Sequence, residues 1–175
     1  KNLIISKVNG YTLQQIKNTR NSNSNQLQLQ KQLFKDILPC WINIMKGLKK
    51  INEAGFQYMD LKLDNIMYDV FLKKLILIDY DWLTWKSDIK SRVKEFENRF
   101  YLHFPPDTFI NSEEDIKKKI LHMNQHFGVE FTSKIFSNNN ESIISDVLNK
   151  DNEYWSNYVK KADVYSLGFV MFIFF

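Results

Sequence analysis

Apolar residues that recur at three- and four-residue steps constrain the fold of this chain more than any other feature of its sequence. This spacing predicts one long amphipathic helix over 29–55, ending near Gly55. Pro39 lies inside the segment and is expected to kink the helix, because proline lacks a backbone N–H group. The apolar positions of the stripe are Leu33, Ile37, Trp41, Ile44, Met45, Leu48 and Ile51.

The segment that precedes this helix carries short local signals. Leu3–Ile5 suits the end of a strand, and Asn9-Gly10 is a turn signal. Thr12 suits the N-cap of a short helix over Leu13–Asn18, because threonine is a preferred capping residue.

The composition argues against several classes of function. Of the 24 basic residues only three are arginine, so no nucleic-acid surface that reads bases is expected. The 175 residues, 44% of them hydrophobic, suffice for one compact domain. The apolar run Leu167–Phe175 is shorter than the roughly 20 residues of a membrane span, so no membrane association is expected. Cys40 is the single cysteine, which favours an intracellular, cytoplasmic protein in which Cys40 is a buried apolar residue.

Two β-type runs, Ile66–Tyr68 and Leu75–Ile78, predict a small hairpin. Polar residues stand at both of its outer ends. They are Asp60, Lys62 and Asn65 before the first strand and Asp79 after the second. Because the two strands of a hairpin are antiparallel, the start of the first lies beside the end of the second, and all four residues are expected close together.

The chemistry of this set suits phosphoryl transfer. That reaction needs a carboxylate to orient the attacking hydroxyl, a cation near the transferred phosphate and oxygen ligands for magnesium. Asp60, Lys62, Asn65 and Asp79 offer these groups. By itself the pattern D-x-K-x-x-N is weak and is equally compatible with a polar turn.

The segment 58–65, which reads YMDLKLDN, resembles the catalytic loop H-R-D-L-x-x-x-N of eukaryotic-type protein kinases. The segment 79–81, which reads DYD, resembles the metal-binding D-F-G of that family. The resemblance implies that Asp60 is the catalytic base, that Lys62 contacts phosphate, and that Asn65 and Asp79 hold Mg²⁺. It also implies ATP and a protein Ser or Thr hydroxyl as substrates, since a lysine two residues after the aspartate resembles the Ser/Thr subgroup.

Residues 3–13 resemble the kinase hinge and the segment that leaves it. On this resemblance Ile5 is the gatekeeper, the backbone of Ser6 and Val8 holds adenine, and Met67 lies under the adenine ring.

Two further motifs follow in the family's order. Pro105-Pro106-Asp107 is similar to the A-P-E that closes the activation segment. The segment 163–168, which reads DVYSLG, resembles the D-V-W-S-L-G of the central buried helix. The aspartate of that motif is expected to accept hydrogen bonds from the catalytic-loop backbone near Tyr58 and Met59.

The resemblance implies an α+β, protein-kinase-like fold with a mostly helical C-lobe, a small catalytic β-hairpin and an N-lobe largely absent. The chain is expected to be inactive by itself, because the glycine-rich loop, the strand lysine and the helix glutamate would lie upstream of Lys1. The segments implied are a hinge region (1–13), the long helix (29–55), the catalytic loop and metal-binding hairpin (56–81), an activation segment (82–107), an insertion (108–157) and the central buried helix (158–175).

Departures from the family pattern keep other functions open. Met59 replaces the usual arginine, and Asp81 stands where glycine is usual. A pseudokinase that acts as a scaffold or binding module is therefore one alternative. A small-molecule kinase of the choline or aminoglycoside type is another, because it shares the I-D-x-D pattern of residues 78–81. Lys62 and the 163–168 motif argue against it.

Two polar clusters on the insertion have simpler interpretations. His122, His126 and Glu130 have a spacing that can bind zinc, but an exposed helix face is the preferred interpretation. The run Lys117–Lys119 follows Glu113–Asp115 and predicts ion pairs between successive turns rather than a binding patch.

Overall fold

The computed structural model describes residues 8–19, 26–95, 103–105, 108, 112–136, 150 and 152–175, and these residues form an α+β arrangement. The strands are β1 Gly10–Thr12, β2 Phe56–Gln57, β3 Ile66–Asp69, β4 Lys74–Leu77 and β5 Thr84–Trp85. The α-helices are α1 Leu13–Asn18, α2 Gln26–Ile37, α3 Trp41–Glu53, α4 Ile89–Lys94, α5 Glu113–Phe127, α6 Val129–Phe136 and α7 Asn152–Phe174. Short 3₁₀ turns occupy Leu38–Cys40, Leu63–Asn65 and Lys86–Asp88.

The predicted hairpin is present as β3 and β4, which pair antiparallel with Ile66 opposite Leu77. On its other side β3 pairs antiparallel with β1, so that the sheet order is β1-β3-β4. A second, two-stranded sheet joins β2 to β5, and across it the rings of Phe56 and Trp85 lie 3.8 Å apart between centroids.

The prediction of a turn at Asn9-Gly10 is wrong, because Gly10 begins strand β1. The backbone of Gly10 lies so close to β3 that a Cβ atom on it would stand 1.8 Å from the carbonyl oxygen of Tyr68. Glycine is therefore required here by close approach of two backbones rather than by a turn. The predictions for Thr12 and for α1 are confirmed, since Thr12 and Gln15 form a reciprocal capping box.

The helix predicted over 29–55 is two helices, α2 and α3, separated by the 3₁₀ turn around Pro39. The helix is therefore interrupted at Pro39, because proline has no backbone N–H group to continue the α-helical hydrogen bonding. Met45 is half exposed, at 50%, so its place in the predicted core stripe is wrong. Cys40 is buried as predicted, and its thiol contacts the carbonyl oxygens of Asp36 and Lys73 at 3.1 Å.

Helix α7 connects two apolar clusters. Its first half packs Tyr158 and Ala162 with Met59, and its second half packs Val170 and Phe174 with residues of α1, α3 and the hairpin. The helix predicted over 158–175 thus begins earlier, at Asn152, and one side of it is exposed. None of the helices in the described ranges is both long and apolar enough to span a membrane.

The described residues between 108 and 157 are mostly helical, in α5, α6 and the start of α7. The predicted pairing between turns is present where Lys118 contacts Glu114 at 2.9 Å. Lys119, in contrast, is buried, so the lysine run is not uniformly exposed.

Candidate active site

The loop between β2 and β3 holds Asp60 in a buried position. Its backbone makes a γ-turn centred on Met59, in which Asp60 N donates to Tyr58 O at 3.0 Å and Met59 has φ of 63°. Such a left-handed conformation is unfavourable for methionine by about 1–3 kcal/mol, so the surrounding contacts must maintain it. The turn directs the Asp60 side chain inward, where the residue is only 6% exposed.

The three residues predicted from this loop meet at the Asp60 carboxylate. Oδ2 of Asp60 accepts hydrogen bonds from Lys62 Nζ at 2.8 Å and from Asn65 Nδ2 at 2.7 Å. Asn65 Nδ2 also lies 3.0 Å from the backbone oxygen of Asp60. Because the amide nitrogen of Asn65 is used in this way, its side-chain oxygen remains as an acceptor.

A fourth residue, His103, reaches the same carboxylate from a part of the chain 43 residues after Asp60. Its Nε2 lies 3.4 Å from Asp60 Oδ1, and both side chains are about 9% exposed. Burial raises the pKa of Asp60, but the interactions with His103 and Lys62 outweigh it, so that this pKa lies below its ordinary value. The carboxylate is therefore held in its ionised form.

Asp79 lies at the same end of the hairpin through its backbone. Ile78 N donates to Asn65 O at 3.0 Å, which continues the β3–β4 ladder to the residue before Asp79. The Tyr58 hydroxyl contacts the carbonyl oxygens of Ile78 and of Asp79, the latter at 3.0 Å. The Asp79 residue is exposed and left-handed, with φ of 61°. Among the described residues, its carboxylate makes no hydrogen bond with the Asp60 cluster, and its Oδ1 accepts one from Asp81 N at 3.4 Å.

Asp163 of α7 contacts the backbone of the loop that carries Asp60, as the sequence motif led us to expect. Its Oδ2 accepts from Tyr58 N at 3.4 Å, and Met59 N is a further donor to the carboxylate. Burial raises the pKa of Asp163, and these hydrogen bonds oppose the shift only in part. The buried side chain of Gln57, oriented to satisfy both ends of its amide, accepts from Asp163 N at 3.2 Å and donates to Val159 O at 2.8 Å.

The predicted adenine-binding residues are only partly described. Ile5 and Ser6 lie outside the described residues, and so do Pro106 and Asp107 of the A-P-E-like motif. Val8 is half-buried just before β1. Met67 is half-buried on β3, opposite Thr12 of β1, while its strand neighbours Ile66 and Tyr68 are buried.

The structure gives the contacts of the residues that depart from the kinase pattern. Met59 is buried in the cluster around Ile89 and Val93, so it has a packing role. Tyr58 and Tyr80 contact each other edge to face with ring centroids 5.7 Å apart. Asp81 is exposed and its carbonyl oxygen lies 3.4 Å from an Arg92 nitrogen.

Possible metal ligands lie at the Asp60 site and on helix α5. Within the described ranges, no group of three or more His, Cys, Asp or Glu residues is placed to hold a metal ion. On α5, His122 and His126 have ring centroids 4.5 Å apart, and His126 Nδ1 contacts His122 O at 3.0 Å. Asn65 and Asp79 have the oxygen atoms that magnesium prefers, but they do not by themselves form a preassembled cage.

The residue that sequence reasoning missed is His103. It stands two residues before Pro105, in a segment with no catalytic pattern of its own. The nearest signal was its position just ahead of the A-P-E-like motif.

Comparison with known proteins gives a local similarity to a protein kinase. The chain is 30% identical over 63 residues to the human cell division cycle 7-related protein kinase. The matched stretch is 36% of this chain and 11% of that protein, so the similarity covers a small part of the relative. No protein-family model and no solved structure matches the chain. The similarity indicates a kinase-like origin for the matched stretch.

Proposed function

We propose that this chain is the hinge-to-central-helix part of a protein kinase that transfers phosphate from ATP to Ser or Thr hydroxyls of a protein. The observation that carries the proposal is the meeting of Lys62 and Asn65 on the ionised Asp60 carboxylate, at the hairpin end where Asp79 also lies. A polar turn would account for this spacing in the sequence, but it does not require a buried carboxylate with a lowered pKa.

In the proposed reaction, the acceptor hydroxyl oxygen attacks the γ-phosphorus of ATP. A new oxygen–phosphorus bond forms while the bond between the γ-phosphorus and the bridging oxygen breaks, and ADP leaves with that electron pair. Asp60 orients the hydroxyl through its ionised carboxylate and receives the proton, which becomes acidic as the new oxygen–phosphorus bond forms. Lys62 places a positive charge beside the transferred group.

The chemistry of the residues present fits magnesium, since Asn65 uses its amide nitrogen toward Asp60 and has an amide oxygen as a further ligand atom, and Asp79 is exposed. These two residues would hold the ion, which when bound supplies positive charge to the phosphate oxygens. For the nucleotide base, we propose that Met67 lies under adenine and that Val8, with Ile5 and Ser6, forms the hinge.

One observation favours a second candidate, a pseudokinase scaffold. The Asp79 carboxylate accepts a hydrogen bond from Asp81 N at 3.4 Å and, within the described part of the chain, makes none with the Asp60 cluster. Asp81 also adds a negative charge where glycine is usual. A scaffold of this type would keep the buried Asp60 cluster as a structural element and would not transfer phosphate. The two candidates therefore differ in nucleotide binding and in turnover.

The test measures transfer of radiolabelled phosphate from ATP to protein substrates by the full-length protein in the presence of magnesium. Asp60→Asn should lower the rate about 10²–10⁴-fold, because it removes the proton acceptor. Asp64→Asn is the matched control, since Asp64 is an exposed carboxylate in the same loop, and it should leave the rate unchanged. Equal rates for wild type and Asp60→Asn would refute the enzyme proposal. Absence of transfer, together with no thermal shift on addition of ATP and magnesium, would favour the scaffold. Transfer to choline or aminoglycosides instead of protein would favour a small-molecule kinase.

A further inference from the structure

We propose that His103 is a positioning residue that fixes the Asp60 carboxylate through Oδ1, whereas Lys62 and Asn65 contact Oδ2. The inference rests on the proposed function, because it assigns His103 a role toward the proposed catalytic base. It concerns a residue outside the 58–65 and 79–81 segments.

The two oxygens of Asp60 have different partners. Oδ2 is held by Lys62 and Asn65 at 2.7–2.8 Å, whereas Oδ1 faces His103 Nε2 at 3.4 Å. The last torsion of an aspartate side chain is broad, so donors on one oxygen alone leave the plane of the carboxylate poorly defined. A second donor on the other oxygen fixes that plane, and with it the direction in which the acceptor hydroxyl must approach.

His103 is itself held in place by α7. Ser166 Oγ lies 2.5 Å from the His103 carbonyl oxygen and 2.9 Å from Ala162 O. Ser166 and Asp163 are three residues apart and therefore lie on the same side of the helix. Since Asp163 accepts from Tyr58 N, one turn of α7 fixes both the loop that carries Asp60 and the backbone of His103. This shared anchor sets the distance between base and imidazole.

A neutral imidazole with its proton on Nε2 can serve as the donor, so the role does not require a charged histidine. The separation of 3.4 Å is longer than a well-formed N–H···O hydrogen bond. Catalytic hydrogen bonds are often long before substrate binds and shorten in the complex. We therefore expect His103 to act mainly on the rate of transfer and only weakly on the binding of ATP.

The experiment compares two substitutions of His103 in the full-length protein. His103→Phe keeps an aromatic ring but removes the donor, and it should lower kcat about 10- to 100-fold with KM for ATP within about twofold. His103→Gln retains an N–H donor and should recover most of that loss. His126→Phe, the same substitution at an exposed histidine of α5, is the matched control and should leave kcat unchanged. Equal kcat values for wild type and His103→Phe, or equal losses for the Gln and Phe variants, would overturn the inference.

A second measurement tests whether His103 acts through Asp60. In single-turnover assays, His103→Phe should lower the rate in the wild-type background but not further in the Asp60→Asn background. Additive losses in the two backgrounds would overturn the positioning role. A normal rate in Asp60→Asn itself would overturn the proposed function instead, so the two failures are distinguishable.

The contact can also be measured without turnover, by the ¹⁵N resonances of the His103 imidazole. The Nε2 resonance should move in Asp60→Asn and stay fixed in Asp64→Asn. If the wild type transfers no phosphate, the proposed function and the positioning role of His103 are both refuted. An unmoved resonance would refute the contact as well.

Discussion

Replacement of Asp163 by alanine tests whether α7 fixes the loop that carries Asp60. The Asp163 residue is 8% exposed, and its carboxylate accepts from the backbone N–H groups of Tyr58 and Met59. Alanine at this position leaves both donors buried without an acceptor. Asparagine retains one acceptor oxygen and removes the charge.

The magnitude follows from these contacts. A buried donor without a partner costs about 1–3 kcal/mol, so two of them cost about 2–6 kcal/mol. Part of this is offset, because the raised pKa of Asp163 reports that its charge is itself unfavourable in the buried position. We expect Asp163→Ala to lower the free energy of unfolding by about 3 kcal/mol, which corresponds to about 6–12 °C in Tm. Asp163→Asn should lower it by about 1 kcal/mol, because asparagine keeps an acceptor oxygen for one of the two donors.

The pH dependence has a definite sign. In the folded protein the pKa of Asp163 lies above its ordinary value of 3.8, which holds in the unfolded chain. Between pH 3.8 and the folded pKa, the folded state binds more protons at Asp163 than the unfolded chain does. The contribution of Asp163 to the free energy of unfolding therefore falls as pH rises across that interval. The stability of wild type relative to Asp163→Asn should therefore decrease as pH rises from 3.8 and become constant above the folded pKa.

Urea denaturation of the three proteins, followed by circular dichroism, measures these differences. Val164→Ala is the matched control, since Val164 is the next residue of the helix and is 69% exposed, and its effect should be within about 0.5 kcal/mol. A loss below 0.5 kcal/mol for Asp163→Ala would refute the argument. So would an Asp163→Asn variant that is as unstable as the alanine variant.

Three further predictions concern other contacts. Gly10→Ala should destabilise the protein by about 1–3 kcal/mol or more in urea denaturation, because its Cβ would collide with the β3 backbone, whereas Gly168→Ala should stabilise it by about 0.5–1 kcal/mol. A neutral Gly10→Ala would contradict the close approach. The rings of Phe56 and Trp85 should show a coupling of about 0.5–1.5 kcal/mol in a double-mutant cycle to alanine, and additive effects would mean that the tilted ring contact contributes nothing. Because the pKa of Asp60 is lowered from 3.8, its contribution to stability should be complete above pH 3.8 and lost as pH falls through the folded pKa. If the difference in free energy of unfolding between wild type and Asp60→Asn stays constant on acidification, this prediction is wrong.

The fold could be predicted as far as local patterns determine it. The cap at Thr12, helix α1 and the β3–β4 hairpin depend on neighbouring residues, and the sequence predicted all three. The long helix was predicted as one element because periodicity continues across Pro39, and only the structure shows two helices. Met45 was assigned to the apolar stripe because the periodicity shows which side of the helix is buried. How far the buried side extends around the helix depends on its packing partners, and Met45 lies beyond them.

The site could be predicted where its residues are close in sequence. Asp60, Lys62 and Asn65 lie within one loop, so their spacing indicated a shared position, and their hydrogen bonds agree with it. His103 gave no such signal, because it lies 43 residues after Asp60 in the sequence and its position depends on a contact with Ser166 of α7. The close approach at Gly10 was missed for the same reason, since a strand partner far along the chain creates it.

The support of the Asp60 loop by α7 affects how the protein is made. Tyr58 and Asp163 are separated by 105 residues, so the loop leaves the ribosome long before its support does. At about 5–20 residues per second, synthesis of that interval takes roughly 5–20 s. For this time the left-handed turn at Met59 lacks the contacts that maintain it, and the nascent chain should have no organised Asp60 cluster until translation has passed α7.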